Sequence, residues 1–251
     1  MAFSEMLARI GIGSANVDTQ LEKREYHQGE LIQGEIVIQG GNVPQSIDDV
    51  YLYLVVSVQT TEGTKSYTWG RTRLAQGWEI EAGEVRQIPF SWQLPFDLPI
   101  SGNRFRTFLR TGLEIEHALD PTDSDEMHII LHPKAQAVQE SLNRLGFHLV
   151  ERDTEESYKY GSSRPFVMEY EFKPYGSYRN FLDEVEVTYR EEQGDLGVSL
   201  IADQKPTDLI GAISESLGMD DRLIHFAVTD EEYQNPEQLD EKIRLLLDRY
   251  C

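Results

Sequence analysis

The side chains with the most obvious capacity for chemistry lie between residues 117 and 132. His128 and His132 fall on one face of a short alternating segment, and imidazole nitrogens placed in this way can ligate zinc. The oxygen ligands that Ca²⁺ prefers are available from Asp120, Asp123, Asp125 and Glu126. This acidic run lacks the Asp-x-Asp-x-Asp-Gly spacing of a calcium loop, and aspartates that cap turns give the same pattern. We therefore predict no metal site and no cofactor, and we leave cation binding by residues 120–126 open.

Nucleophilic catalysis and phosphate binding find no support in the motifs of the chain. Neither the Gly-x-Ser-x-Gly elbow nor the Gly-x-x-x-x-Gly-Lys loop is present. Cys251 is the one cysteine and the last residue, so no intrachain disulfide can form and the fold does not need an oxidising compartment. These observations predict a protein that is not an enzyme and has no catalytic residues.

The balance of charged residues indicates which classes of partner the protein can bind. The 251 residues include 23 Lys and Arg against 44 Asp and Glu, which gives a formal net charge of −21. A surface this acidic repels phosphate, so nucleic acid and anionic membranes are poor partners, and basic protein surfaces or metal cations are better ones. No apolar window approaches the length of a membrane span, and the first residues do not resemble a secretory signal. We therefore expect no stable membrane insertion and a cytoplasmic location.

Alternating apolar residues predict strands through the first half of the chain. In residues 26–40, YHQGELIQGEIVIQG, Gly29 supplies a turn. Ile32, Ile36 and Ile38 then share one face of the strand that follows. Further period-two runs, separated by turn residues, lie at 50–58, 66–74, 88–94, 105–115 and 127–131. Several short alternating strands with regular turns predict an antiparallel β-sandwich.

A helix is predicted where the strand pattern stops. Pro133 suits the first helical position and Gly146 suits the C-terminal cap. Strand patterns return after it, and Asn235-Pro236 then begins a second, amphipathic helix. We predict an N-terminal β-sandwich, a linking helix, a C-terminal β-sandwich and a C-terminal amphipathic helix, at residues 1–132, 133–146, 147–230 and 231–251. Two short amphipathic helices are also predicted, at residues 3–10 and 209–217.

Several segments together resemble one bacterial family. Besides the Tyr-x-x-Gly-Glu pattern at 26–30, they are MLARIGIG (6–13), PFSWQLPFDLPIS (89–101), ALDPTDSD (118–125) and LNRLGF (142–147). In this combination, which spans nearly the whole chain, the sequence is similar to the bacterial sporulation-control proteins of the stage-zero class (SpoOM type), an arrestin-like family. The resemblance implies a mostly β fold of two arrestin-like antiparallel β-sandwich domains joined by a short helix, with a C-terminal helix.

The same resemblance implies a function. Proteins of this family modulate entry into sporulation through protein contacts, with links to the cell-division and cytoskeletal machinery. We therefore expect a non-catalytic regulatory adaptor in the control of sporulation or of cell-cycle and developmental timing. Its partners are expected to be other proteins, and a cell-division or cytoskeletal partner and a homodimer are both left open.

The C-terminal helix supplies the candidate partner-binding residues. An apolar stripe at helical spacing consists of Leu239, Ile243, Leu246 and Tyr250. The stripe either contacts a partner or packs on its own domain, and the sequence leaves both alternatives open. Sheet edges and sheet faces are further candidate surfaces, to which the sequence assigns no residues.

A carbohydrate- or Ca²⁺-binding β-sandwich module is the alternative function. Tryptophan side chains could line a sugar-binding face, and the candidates are Trp69, Trp78 and Trp92. Trp92 alternates with apolar residues of a predicted strand, so we expect that side chain to be buried.

Overall fold

A computed structural model describes residues 14–115, 122–155, 164–205 and 222–250. The predicted helices at 3–10 and 209–217 lie outside these ranges, as do His117 and Asp120. The chain divides into two compact units. The first unit holds the described residues up to Tyr26 together with Glu30–Leu94 and Leu98–Ile130, and the second holds His27–Gly29, Pro95–Asp97 and the described residues from Leu131 onward.

Eight strands run through the described residues of the first part of the chain. They are β1 (Asn16–Leu21), β2 (Glu25–His27), β3 (Leu31–Gln39), β4 (Gln45–Thr60), β5 (Gly63–Ile80), β6 (Val85–Gln93), β7 (Phe105–Ile115) and β8 (Thr122–Ile130). Three of them form a sheet in the order β1-β3-β6, and five form a sheet in the order β2-β8-β7-β4-β5. The hydroxyl groups of Thr19 on β1 and Thr111 on β7 hydrogen-bond across the two sheets at 2.5 Å.

The core of the first unit follows the predicted alternation. Ile32, Ile36 and Ile38 on β3 are fully buried, and so are Leu52 and Leu54 on β4. Because successive side chains of a strand point to opposite faces, each of these strands buries one face and leaves the other for solvent or a partner. The strand predicted at 105–115 is confirmed as β7.

Strand β5 lies at the edge of the five-stranded sheet and contains two β-bulges. Its pairing with β4 shifts register twice, and at each shift β5 has one residue more than its partner: Leu74 at the first and Trp69 at the second. A bulge re-aims the side chain that it carries. Trp69 is directed into the core, where it is 3% exposed. The bulges leave residues 70–73 as a short regular stretch between them.

The second unit combines one sheet with helices. Its strands are β9 (Phe147–Glu155), β10 (Val167–Pro174), β11 (Leu182–Glu192), β12 (Asp195–Gln204) and β13 (Arg222–Ala227), and they pair antiparallel in the order β13-β12-β11-β10-β9. Its helices are α1 (Pro133–Arg144), α2 (Asp230–Gln234) and α3 (Pro236–Leu247), with short 3₁₀ turns at Ser177–Asn180 and Asp248–Tyr250. None of the helices in the described ranges is long and apolar enough to cross a lipid bilayer.

Local chemistry explains where these elements begin and end. Helix α1 starts with Pro133 after the N-cap His132, whose Nδ1 accepts the Lys134 backbone N–H at 3.2 Å. It ends before Gly146, which has a φ of 96° and donates its N–H to the Asn143 carbonyl at 3.1 Å. A left-handed residue after the last helical turn is the position that favours glycine. The two ends predicted for this helix are therefore confirmed.

The predicted fold class is confirmed, because the chain is mostly β, with antiparallel sheets, a helix after the first set of strands and C-terminal helices. Three details differ from the prediction. The described residues of the second unit contain one sheet, and α1 packs on it, as the hydrogen bond from Tyr189 Oη to the Ala135 carbonyl shows. The C-terminal helix is divided, because Thr229 and Glu232 form a capping box that starts α2 before Pro236 begins α3. Strand β8 begins at Thr122 instead of 127, since Gly112 of β7 extends the pairing.

The glycine at position 29 gives a stability prediction. Gly29 has a φ of 71°, and a Cβ atom there would lie 2.3 Å from Cε1 of the buried Phe96 ring. Gly194, in the same unit, has a φ of 85° and no atom within 4 Å of that position. Gly194→Ala should therefore cost only the left-handed conformation, about 1 kcal/mol, whereas Gly29→Ala adds overpacking and should cost roughly 2–4 kcal/mol. Urea unfolding of both variants measures the difference, and equal losses would show that the Phe96 ring moves aside freely.

Candidate functional site

The outer face of the five-stranded sheet carries a cluster of arginine and tyrosine side chains. Because Leu52 and Leu54 are buried, the pleat of β4 directs Tyr51 and Tyr53 away from the core. The strand register then aligns three arginines with these tyrosines. Arg73 is opposite Tyr51, and Tyr53 has Arg71 on one side and Arg110 on the other. We name this surface the Arg–Tyr face and define it as Tyr51, Tyr53, Arg71, Arg73 and Arg110.

Stacking holds one of these arginines in place. The guanidinium carbon of Arg71 lies 3.6 Å from the centroid of the Tyr51 ring and 5.3 Å from that of Tyr53. The Tyr51 hydroxyl donates a hydrogen bond to Asp49 Oδ2 at 3.0 Å, and this bond is the main cause that raises the pKa of Tyr51. Cation–π contact of this kind orients a guanidinium without using its N–H donors. The donors of Arg71 therefore remain available for an acceptor.

The arginines of the face are only loosely paired with carboxylates. The nearest N···O distances are 3.7 Å from Arg71 to Glu114 and 3.6 Å from Arg73 to Asp49, both beyond hydrogen-bond range. Arg110 forms no hydrogen bond or ion pair with any residue that the structure describes. The neighbouring Arg106 differs, because its guanidinium is hydrogen-bonded to both carboxylate oxygens of Glu126. Three guanidinium groups on one sheet face thus retain unused donors in a chain with a formal net charge of −21.

The C-terminal helix places its predicted stripe mostly inside the second unit. Leu239 and Ile243 are fully buried, Leu246 is half-buried, and the side chain of Tyr250 is not described. The buried pair has no surface for a partner in this structure, which agrees with the packing alternative for these two residues. Partner binding by the stripe as a whole stays a prediction.

A buried lysine helps to hold the helices of the second unit to its sheet. Lys134 on α1 is 7% exposed, and its Nζ lies 2.7 Å from Asp195 Oδ2 at the start of β12 and 2.9 Å from Asp230 Oδ1 on α2. Burial lowers the pKa of Lys134, but the hydrogen bonds to the two aspartates outweigh it, so the pKa lies above its usual value. A lysine that stays charged between two carboxylates is an ion-pair centre, and the pairing gives this group no role as a general base.

Burial governs the titration of the histidine next to this lysine. His132 is half-buried, its ring centroid lies 5.4 Å from that of Phe96, and its backbone N–H donates to Gln28 Oε1 at 3.2 Å. Burial, followed by the charge of Lys134, lowers the pKa of His132. The neutral ring is also the form that accepts the Lys134 backbone N–H. The N-cap of α1 therefore favours neutral histidine.

The acidic segment at 120–126 is part of a strand where the structure describes it. Asp123 and Asp125 lie on β8, and Asp123 Oδ2 accepts the Thr19 backbone N–H at 2.7 Å. Burial, together with the negative charge of Asp123 and a hydrogen bond to it, raises the pKa of Asp125 to about 6. Within the described ranges no cluster of three or more His, Cys, Asp or Glu side chains could hold a metal ion. The interpretation of this segment as aspartate-capped turns is therefore wrong for residues 122–126, which belong to strand β8.

An open groove of about 610 Å³ runs beside α1 in the second unit. Its lining includes the amides of Gln136, Gln139 and Asn143, the cations of Arg144 and Arg152, and the Phe172 ring. The Arg144 guanidinium binds both carboxylate oxygens of Asp240 on α3 at 2.8 Å. These groups can bind a polar ligand, but they bring together no nucleophile with a general base.

The tryptophans do not form a shared platform. Trp69 is buried, whereas Trp78 and Trp92 are half-buried. The prediction that Trp92 is buried is wrong, and the buried tryptophan is Trp69, because the bulge in β5 turns it inward. This placement removes Trp69 from any sugar-binding face.

Comparison with known proteins decides the family. The family model described as "SpoOM protein" matches residues 3–206. The chain belongs to the SpoOM protein family. It is 33% identical to "Sporulation-control protein spo0M" of Bacillus subtilis (strain 168) over 254 aligned residues, which cover 99% of this chain and 98% of the relative.

A solved SpoOM structure agrees with the fold. The crystal structure of Spo0M, sporulation control protein, from Bacillus subtilis superimposes with a TM-score of 0.72 at 30% sequence identity. The match covers 96% of this chain and 100% of the other. The family resemblance drawn from the sequence motifs is therefore confirmed, and a sporulation-related role is supported by homology.

Substitutions on α3 test whether its stripe is structural. Ile243 is fully buried, so Ile243→Ala should lower the free energy of unfolding by about 2–5 kcal/mol through lost packing and the cavity that remains. Leu245 on the same helix is 54% exposed, and Leu245→Ala should change it by less than about 0.5 kcal/mol. Thermal and urea unfolding compare the two variants. Equal stability of both variants would show that the stripe does not anchor the helix.

The N-cap histidine predicts a pH dependence. The pKa of His132 is lower in the folded protein than in the unfolded chain, so the unfolded chain binds the proton first. The stability that neutral His132 contributes is thus present above the unfolded pKa of about 6.5 and is lost as the pH falls below it. His132→Asn keeps a capping acceptor without a titrating group, so its melting temperature should fall less than that of the wild type between about pH 7 and pH 5. Asp125 is present in both proteins, so its titration affects both equally. If the two curves of melting temperature against pH were parallel, His132 would not be the source of the pH dependence.

Proposed function

We propose that this protein is a non-catalytic regulatory adaptor that controls sporulation, or a related step of developmental timing, by binding other proteins. Membership of the SpoOM family supports the sporulation-related role. The Arg–Tyr face is the observation that carries the protein-binding part of the proposal. It combines aromatic side chains with under-used guanidinium groups, and protein interfaces are enriched in tyrosine and arginine.

The positions of the side chains with shifted pKa values support a binding role over a catalytic role. Tyr170 and Tyr189 are buried with their rings 5.3 Å apart, and burial raises the pKa of Tyr170 to about 12, so both stay protonated at neutral pH. Lys134 stays charged between its two aspartates, and Asp125 belongs to the first unit. A catalytic site needs titratable groups that converge on one substrate position. Apart from this buried tyrosine pair, the described groups with strong pKa shifts lie away from one another, and each shift has a structural cause.

The proposal keeps the cytoplasmic location, and local charge sets its class of partner. The net charge alone favours basic protein surfaces, whereas a cluster of arginines favours acidic protein segments. A chain with a net charge of −21 repels nucleic acid and anionic lipid over long distances. A local cluster of arginines on such a chain attracts acidic protein segments at short range, where screening is least. Partners in the cell-division or cytoskeletal machinery fit the resemblance to the family and remain part of the proposal.

Gene deletion with matched complementation tests the function. Removing the gene from a spore-forming host should change the timing or the yield of spores, and the wild-type gene should restore both. The double variant Arg71→Glu/Arg73→Glu should fold but fail to restore them, because its face repels acidic partners. Arg179→Glu, on an exposed residue of the second unit, is the control that should restore them. Normal timing and yield after deletion would contradict a role in sporulation.

A further inference from the structure

We propose that the edge of β5 binds a short, extended, acidic segment of a partner protein, with two carboxylates spaced two residues apart opposite Arg71 and Arg73. The inference rests on the proposed function, since it names the kind of partner that the adaptor takes. Three properties of the described chain lead to it: the position of β5 at the edge of its sheet, the two bulges in β5, and the orientation and loose ion pairing of its arginines.

Strand β5 is the last strand of its sheet. In the order β2-β8-β7-β4-β5 it has β4 on one side and no described strand on the other. The free edge of a strand presents backbone N–H and C=O groups that can pair with an added strand. Such pairing supplies affinity through the main chain, and the neighbouring side chains supply specificity.

The bulges set the length of the partner segment. Trp69 and Leu74 are the extra residues, and they divide β5 into three regularly paired stretches, at residues 63–68, 70–73 and 75–80. Bulges disrupt pairing locally and are a common protection against unspecific edge association. The stretch that carries Arg71 and Arg73 is four residues long, so a segment paired opposite these arginines is limited to about four residues.

The side chains set the charge of the partner segment. Arg71 and Arg73 are two residues apart, so both point to the outer face, about 7 Å from one another. An added strand would place its own outward side chains, also two residues apart, about 5 Å from these arginines. Because the existing ion pairs are at 3.7 and 3.6 Å, an incoming carboxylate can form shorter, bidentate bonds to either guanidinium.

Arg110 provides the internal control for this geometry. It lies on the same face with no described partner, but it is on β7, separated from β5 by β4. An added strand at the β5 edge would be about 14 Å from β7, three strand spacings away. Binding at the edge thus requires Arg71 and Arg73 but not Arg110, whereas a peptide lying across the face would require all three.

A peptide titration tests the proposal. The full chain is titrated with the peptide Thr-Glu-Val-Glu-Val-Thr and with its glutamine analogue Thr-Gln-Val-Gln-Val-Thr, and binding is followed by NMR of backbone amides. We expect the acidic peptide to shift the amides of residues 70–73 and the glutamine peptide to bind at least about tenfold more weakly. Arg71→Ala/Arg73→Ala should reduce affinity about tenfold, and Arg110→Ala by less than about twofold. Binding should also weaken strongly at roughly 1 M salt, where the Debye length is about 3 Å.

Several results would overturn the proposal. They are equal binding of both peptides, an equal loss for Arg110→Ala, or no amide shift at millimolar peptide. A second copy of this chain at the edge would also overturn it. Sedimentation would then show a dimer that dissociates both in Arg71→Glu/Arg73→Glu and when Glu151 and Asp153 on β9 are changed to Lys. Arg71→Lys/Arg73→Lys keeps the charge but not the bidentate geometry, so it should bind the acidic peptide more weakly than the wild type and more tightly than Arg71→Ala/Arg73→Ala. If the peptide does not bind, the proposal for the β5 edge is wrong, but the adaptor role could still depend on another surface. Gene deletion tests that role independently.

Discussion

The pleat of strand β4 determines what the first unit can present to another molecule. Three alternate residues of this strand, Val50, Leu52 and Leu54, are fully buried. The two residues between them must therefore face outward. Both of these outward positions are tyrosines, and the register with β5 and β7 surrounds them with arginines. A shift of one residue in that register would bury the arginines and expose the core. The energy that specifies the core therefore also specifies the Arg–Tyr face.

The second unit uses its surface differently. Helix α1 lies on the sheet, and charged contacts fix the helices, with Lys134 held by two aspartates and Arg144 of α1 held by Asp240 of α3. Most of the apolar side of α3 is buried by packing within the unit, since Leu239, Ile243 and Leu247 are fully buried. A buried lysine is tolerated because both of its carboxylate partners are within hydrogen-bond distance. The apolar face of α3 is therefore buried within the second unit and stabilises it. The first unit, in contrast, has an outward face that is rich in hydrogen-bond donors.

Local sequence patterns predicted the elements well and the candidate surface poorly. Alternation within β3 and the proline and glycine at the ends of α1 depend on neighbours in sequence, so they could be read directly. The Thr229-x-x-Glu232 capping box was also a local signal, and it would have revealed α2. The Arg–Tyr face depends on pairing between strands that are far apart in sequence. Neither the register of β4 with β7 nor the bulge at Trp69 has a local signature, so no periodicity could assign Arg110 and Arg71 to one surface.

We propose that the protein acts through contacts made by the Arg–Tyr face. Quantitative affinity capture from host lysate tests it most directly, with the wild-type chain, Arg71→Glu/Arg73→Glu and Arg179→Glu as parallel baits. We expect proteins enriched by the wild type to be enriched also by Arg179→Glu and to be lost with Arg71→Glu/Arg73→Glu. An identical set of proteins on all three baits would contradict it.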